Sequence, residues 1–136
     1  MSNSSGDVSQ IPDQSGRTVV VTGANSGLGF ETSKALARKG ADVILACRDL
    51  TRGKAARDEI HSSVSEPSLS VLELDLADLS SVRSFAETFK AEHDALHVAC
   101  NNAGIMAVPR RETTDGFEMQ FGVNHLGHFA LTGRLF

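Results

Sequence analysis

The chain has 136 residues, 40% hydrophobic and 22% charged, with a formal net charge of −4, two cysteines, no tryptophan and no tyrosine. These values describe one globular domain with enough chain for a packed core, and they exclude disordered and collagen-like classes. The mild acidity speaks against a nucleic-acid surface, and two cysteines are too few for a disulfide framework. The polar start is not expected to be a signal peptide, and no apolar run approaches the roughly 18 residues of a membrane span.

Residues 1–16 are rich in Ser, Asp, Gln and Gly and read as a flexible polar tail. Thr18 to Thr22 is a β-branched run expected to form a strand buried on both faces. After a Gly-rich turn, Leu28, Thr32, Ala35 and Leu36 recur at helical spacing, with Gly40 as the stop. Ala41 to Cys47 reads as the second strand. Thr51 is expected to cap a polar helix running to about Ser63, with Ala55, Ala56 and Ile60 inward. Leu69 to Leu74 reads as the third strand, and Asp78 as the cap of a helix whose Leu79, Val82, Ala86 and Phe89 share a face. Leu96 to Cys100 reads as the fourth strand, and Thr113 to Phe136 as mostly helical.

Strands alternating with helices of this length indicate an α/β fold, a doubly wound parallel sheet of Rossmann type with its four strands in the order 3-2-1-4. Strands 2 and 4 then flank strand 1 at roughly 9 to 10 Å from each other, so Cys47 and Cys100 are not expected to bridge. Both read as small buried thiols in a reducing compartment, with a cytoplasmic location expected.

The chemistry begins at Thr22-Gly23-Ala24-Asn25-Ser26-Gly27-Leu28-Gly29, placed between a strand and a helix. Glycines there permit a tight turn and close backbone approach, and a helix N-terminus offers unpaired N–H groups to a pyrophosphate. No Lys-Ser/Thr pair follows the last glycine, which excludes a P-loop. About 20 residues further on, where an acidic residue would accept from a ribose 2′-hydroxyl, stand Cys47 and Arg48. A guanidinium suits a 2′-phosphate instead; the competing reading pairs Arg48 with Asp49 or Asp58.

The spacing Gly-x-x-x-Gly-x-Gly resembles the cofactor motif of the short-chain dehydrogenase/reductase family. Asp75-Leu76 after strand 3, Asn101-Asn102-Ala103-Gly104 after strand 4, and Gly122-Val123-Asn124-His125-Leu126-Gly127 resemble three further family segments, in unbroken order. The wording is similar to the branch of retinol dehydrogenases, carbonyl reductases and protochlorophyllide reductases. The resemblance implies an oxidoreductase transferring a hydride between a nicotinamide cofactor, NADP(H) in preference to NAD(H), and a small carbonyl or alcohol substrate.

It further implies that Gly23, Asn25, Ser26, Gly27, Leu28, Gly29, Arg48, Asp75, Leu76, Asn102, Ala103 and Gly104 bind the cofactor. Asp75 would accept from the adenine amino group or cap its strand end, and both readings stay open. Asn124 would be the tetrad asparagine of the catalytic machinery, or an amide satisfied locally in its helix. His125 and His128 share a helix at a spacing of three, but nothing completes a zinc pattern, so no metal site is expected. The resemblance also implies pairing of subunits through the C-terminal helix.

The family's remaining catalytic groups are a Ser and a Tyr-x-x-x-Lys element. With no tyrosine in the chain, that element is absent. The chain is therefore expected to be the N-terminal, cofactor-holding portion of a longer reductase, inactive alone. The alternative is a non-catalytic nucleotide-binding or regulatory module.

Overall fold

The computed structural model describes residues 6–136; positions 1–5 of the expected tail lie outside the described residues. Four parallel strands, β1 (Thr18–Thr22), β2 (Asp42–Cys47), β3 (Ser68–Glu73) and β4 (Val98–Cys100), form one sheet in the order β3-β2-β1-β4. The register is continuous, with Val20 opposite Ile44 and Ala99, and Ile44 opposite Ser70. The helices α1 (Gly27–Arg38), α2 (Leu50–Ser63) and α3 (Leu79–Glu92) make the crossovers.

Because strand side chains alternate in direction, an all-apolar strand must be covered twice. Val19, Val21, Val43 and Leu45 pack with Ala37 and Ile60 on the side of α1 and α2. Val20, Ile44 and Ala46 pack on the other side with Val82, Phe85 and Phe89 of α3, and with Leu131 and Leu135 of the last helix. Burial of β1 on both faces and the 3-2-1-4 order are thus as expected.

Several local expectations are corrected. The buried face of α1 is Gly29, Ser33 and Ala37, while Leu28 is 79% exposed. Small residues let this helix lie close on the sheet, and the Ser33 hydroxyl turns inward to donate to the Gly29 carbonyl at 2.7 Å. The cap of α2 is Asp49, whose carboxylate accepts from Thr51 and Arg52 N–H, and Thr51 is already helical. Gly53, Ala56 and Ile60 are inward, whereas Ala55 is exposed. Gly53 takes the inner place because a Cβ there would meet Val71 of β3 and Cys47 of β2.

The stretch from Thr113 is not one helix. It is a turn closed by a bridge between Glu112 and Glu118, a short helix α4 (Met119–Phe121), a wide π-helical turn (Gly122–Gly127), and α5 (His128–Leu135). Residues 111–118 fold over the carboxyl edge of the sheet: Thr114 N–H donates to the Ala77 carbonyl, and the Asp115 carboxylate accepts from Leu79 N–H. The later part of the expected tail is docked, with Gln14 buried and its N–H on the Lys39 carbonyl at 2.8 Å.

Candidate functional site

In a parallel sheet every strand delivers its following loop to the same edge, and a crevice opens where the order of strands reverses. Here the chain runs outward from β1 to β2 to β3 and then returns to place β4 on the other side of β1. The loops after all four strands line one cavity of about 480 Å³ above that edge. Its walls include Gly23 and Asn25 after β1, Arg48 after β2, Asp75 and Leu76 after β3, and Ala103 and Gly104 after β4.

The floor is built on contacts that leave no room. Gly23 has φ +63° and lies so near Ala103 that a Cβ would come 2.9 Å from the Ala103 Cα. At Gly29 a Cβ would overlap the Gly23 carbonyl oxygen, so the first turn of α1 rests directly on the loop below it. Ser26 stands at the N-cap in extended conformation but makes no side-chain capping bond, so the first N–H groups of α1 are not closed by it. Ser26, Gly27 and Leu28 are exposed at this end and do not line the cavity; nor does Asn102.

Asn102 supports the floor. Its N–H donates to Thr22 Oγ1 at 2.9 Å, and its amide Nδ2 donates to the Thr22 carbonyl at 3.2 Å. Ala103 N–H also reaches Thr22 Oγ1 at 2.9 Å, so one buried hydroxyl fastens the loop after β4 to the end of β1. Asp75 works locally as a strand-end cap, its carboxylate accepting from Ala77 N–H at 2.9 Å, while also lining the cavity. Both readings of Asp75 therefore have a geometric basis.

Arg48 is exposed on the cavity wall. The acidic neighbours that competed for it are engaged elsewhere: Asp49 with Arg52 at 3.8 Å, and Asp58 with Arg57 at 3.2 Å. Beside it, Cys47 is buried, and burial pushes its thiol up to about 11. Cys100 is half-buried with its thiol likewise raised by burial, and both cysteines are free.

Asn124 sits in the π-helical turn. Its Oδ1 accepts from Ile105 N–H at 2.8 Å and its Nδ2 donates to the Ile105 carbonyl at 2.7 Å, a two-point clamp on the loop after β4. Gly127 in the same turn lies against the Leu76 carbonyl, where a Cβ would not fit. Asn124 thus borders the cavity's Ile105 wall and opens onto a second groove with Asn101, His125, His128, Phe129 and Thr132.

The two neighbouring histidines behave differently. His125 is exposed and stacks between Phe121 and Phe129. His128 is buried with its Nε2 at 2.8 Å from Thr22 Oγ1. His97 accepts from Thr18 N–H through Nδ1, and His93 caps α3, stacking on Phe89.

Sequence reasoning missed Thr22, Arg111, Glu112, Thr114 and Met119 on the cavity wall. Thr22 stood inside the quoted motif and could have been found; Arg111 and Glu112 precede the stretch expected to be helical, Thr114 lies where that stretch forms a turn, and Met119 opens α4.

Fold and crevice define a doubly wound, Rossmann-type α/β domain. A family model described as short chain dehydrogenase matches residues 17–136. The chain is 54% identical over 123 residues to mouse retinol dehydrogenase 12 and 53% identical to human retinol dehydrogenase 11, covering 90% of this chain and 38% of each relative. It matches the crystal structure of an uncharacterized protein from Mycobacterium paratuberculosis with a TM-score of 0.84 and 52% identity, over 94% of this chain and 44% of that one. It matches a metagenomic short-chain oxidoreductase in complex with NADP with a TM-score of 0.78 and 28% identity, over 91% and 56%. The chain belongs to the short-chain dehydrogenase family, and spans about two fifths of the length of the retinol dehydrogenases it matches.

Proposed function

We propose that the chain is the nucleotide-holding part of an oxidoreductase that exchanges a hydride between NADP(H) and a small alcohol or carbonyl substrate. The observation that carries this reading is the cavity at the sheet's switch point, with a glycine floor, an uncapped helix N-terminus and Arg48 on one wall. The group fits: Gly23 and Gly29 admit no side chain, and Ser26 leaves the first N–H groups of α1 without a side-chain cap and so open to a diphosphate. Likeness to retinol dehydrogenases supports the alcohol and aldehyde chemistry. When bound, the nicotinamide ring supplies or accepts the hydride.

The chain's own residues bind and orient. Gly23, Ser26, Gly27, Leu28 and Gly29 offer backbone to the pyrophosphate, and Asn25 borders it. Arg48 takes the 2′-phosphate through charge-assisted bonds, which is the ground for preferring NADP(H) over NAD(H). Asp75 and Leu76 would hold the adenine end, and Ala103 and Gly104, held down by Asn102, would line the nicotinamide end. Asn124 fixes the Ile105 backbone on the cavity wall. Proton transfer needs an acid that these 136 residues, lacking tyrosine, do not supply as a phenol, so the chain alone is expected to bind nucleotide without measurable turnover. Two free cysteines support a reducing, cytoplasmic setting, and exposed Phe129 supports subunit pairing through α5.

Calorimetric titration of the chain with NADP+ and NAD+ tests the assignment. NADP+ is expected to bind more tightly, and Arg48→Ala to lower the NADP+ to NAD+ affinity ratio by roughly ten- to hundredfold, the value of a charge-assisted contact. An unchanged ratio would overturn the 2′-phosphate assignment, and absence of binding by either nucleotide would overturn the reading itself.

A further inference from the structure

Thr22 Oγ1 has two lone pairs and one proton. Both lone pairs accept, from Ala103 N–H and from Asn102 N–H at 2.9 Å each, the latter shared with the Cys100 carbonyl at 2.9 Å, which leaves that carbonyl already engaged. Its proton must therefore be donated, and the two acceptors in reach are the Cys100 carbonyl at 3.4 Å and His128 Nε2 at 2.8 Å. The shorter contact is within ordinary hydrogen-bond range and the longer is at its limit. This makes Nε2 the unprotonated nitrogen and places the ring proton on Nδ1. That proton has an acceptor, the Asn124 carbonyl at 3.1 Å. The backbone N–H of His128 does not compete for that carbonyl, since it donates to the His125 carbonyl instead.

One imidazole thus reads out two directions at once. It accepts from the hydroxyl that pins the loop after β4, and it donates to the turn that carries Asn124. A proton added at Nε2 would present an N–H to an oxygen whose lone pairs are already filled. We propose that His128 is a positioning residue of the nucleotide cradle: its neutral, Nδ1-protonated ring clasps Thr22 to the Asn124 turn, and protonation opens that clasp and weakens nucleotide binding. The inference rests on the nucleotide reading above only in its second half.

Burial holds the His128 ring below the ordinary histidine value of 6.5, against the opposing pull of the Asn124 carbonyl. Among the surrounding elements, β1 and residues 101–107 carry no ionisable side chain, and β4 carries only the Cys100 thiol. Its own helical stretch carries His125 and Arg134. The packed helix α3 carries Arg83, Glu87, Lys90 and Glu92, the first three lining a groove with Gly133 and Arg134, more than a turn further along α5. The folded state thus favours the neutral ring, and the clasp is expected intact at pH 7.5 and lost as pH falls below 6.5 through the lowered folded value.

Two measurements test this on the full chain. Imidazole 15N spectra, with His128 assigned by its loss in His128→Gln, are expected to show a neutral Nδ1–H ring at pH 7. An Nε2–H tautomer or a charged ring there would overturn the clasp whatever the protein binds. NADP+ affinity is then compared between wild type and His128→Gln, whose amide can accept from Thr22 and donate to Asn124 but does not titrate. The 2′-phosphate itself titrates near about pH 6, but this is common to both proteins and cancels in their ratio.

The wild-type to His128→Gln affinity ratio is expected to be level above pH 7 and to fall severalfold in acid, at a pH below 6.5, as the competent fraction shrinks. His128→Leu is expected to bind about tenfold more weakly than wild type at pH 7.5, with His128→Gln recovering most of the loss. If the Leu variant fails to melt cooperatively, His128→Asn, polar but too short to reach Thr22, takes its place. A flat ratio, or a Gln variant as weak as the Leu or Asn one, would overturn the positioning role. If the wild type binds no NADP+ at any pH, the nucleotide reading and the second half fall together, and the ring spectra still decide the clasp.

Discussion

The N-termini of α1, α2 and α3 all stand at the same edge of the sheet, yet two are closed by carboxylates and one is not. Asp49 accepts from two N–H groups of α2. At α3, Asp78 accepts from Ser80 N–H, and Asp115 arrives from the covering loop to accept from Leu79 N–H. At α1 the cap residue is Ser26, with no side-chain bond, and the turn before it is glycine-rich. A helix N-terminus carries partial positive charge, and an acidic cap satisfies it internally. Leaving α1 without such a cap sacrifices local stability at the helix start that follows Gly23 and Asn25 of the cavity wall. The difference distinguishes repeats of one supersecondary unit: the βα junction is closed by a carboxylate at α2 and α3 and left open at α1, where the diphosphate is proposed to sit.

Substituting Gly29→Val should damage this arrangement most. The added side chain would meet the Gly23 carbonyl and the Asn102 amide, lifting α1 from the loop. Nucleotide binding is expected to fall more than about a hundredfold with a lower melting temperature, since overpacking displaces backbone here. A Gly29→Val protein that bound NADP+ at the wild-type level in calorimetry would mean that the close approach of helix and loop is incidental.

Making α1 resemble its neighbours is a sharper test. Ser26→Asp gives it an acidic cap, which is expected to raise the melting temperature by a few degrees and to weaken NADP+ binding about tenfold, because the new carboxylate competes for the same N–H groups. The two effects have opposite sign, which general misfolding cannot imitate. Tighter or unchanged binding would place the diphosphate elsewhere.

The smallest expected effect is at a closed cap. The Ser80 hydroxyl and N–H hold the Asp78 carboxyl below its usual value of 3.8. A carboxylate with a lowered folded value contributes stability that is full above its unfolded value and lost as pH falls through the folded one. In denaturant melts, wild type is expected to exceed Asp78→Asn slightly and constantly above about pH 5, and the gap to close below pH 3.8. A gap that persists in acid would show that the cap acts through its shape and not its charge.

Much of this architecture is legible in sequence, and the departures have physical causes. Runs such as Thr18 to Thr22 are β-branched and nearly all apolar, so they announce strands covered on both sides wherever they occur. Periodicity judged by large side chains misplaces the inner face of α1, because close packing selects Gly29, Ser33 and Ala37. Thr51 suits a cap by its side chain, but Asp49, equally suited, stands two residues earlier with the right extended backbone. The stretch after Thr113 is rich in apolar residues and reads as helix, although Asp115-Gly116 is a turn signal within it; nothing local marks the widening at Gly122–Gly127.

Of the candidate site, Gly23, Asn25, Arg48, Asp75, Leu76, Ala103 and Gly104 do meet around one cavity. Gly29 and Asn102 act from beneath it, Asn124 acts through Ile105, and Ser26, Gly27 and Leu28 stay at its rim. Arg111, Glu112 and Thr114 join only because a bridge and two hydrogen bonds fold their loop over the edge.

By itself the sequence determined the parallel sheet, its order and the edge at which chemistry is placed, because each follows from chain-local patterns and the handedness of βαβ crossovers. Tertiary structure alone decided which groups are free to act. Whether Arg48 is paired and whether a helix start is closed depend on how side chains are aimed, and the contact of His128 with Thr22 joins residues 106 apart along the chain. Such contacts leave no periodic trace, since a hydrogen bond is set by the position of two atoms and not by the pattern of either segment.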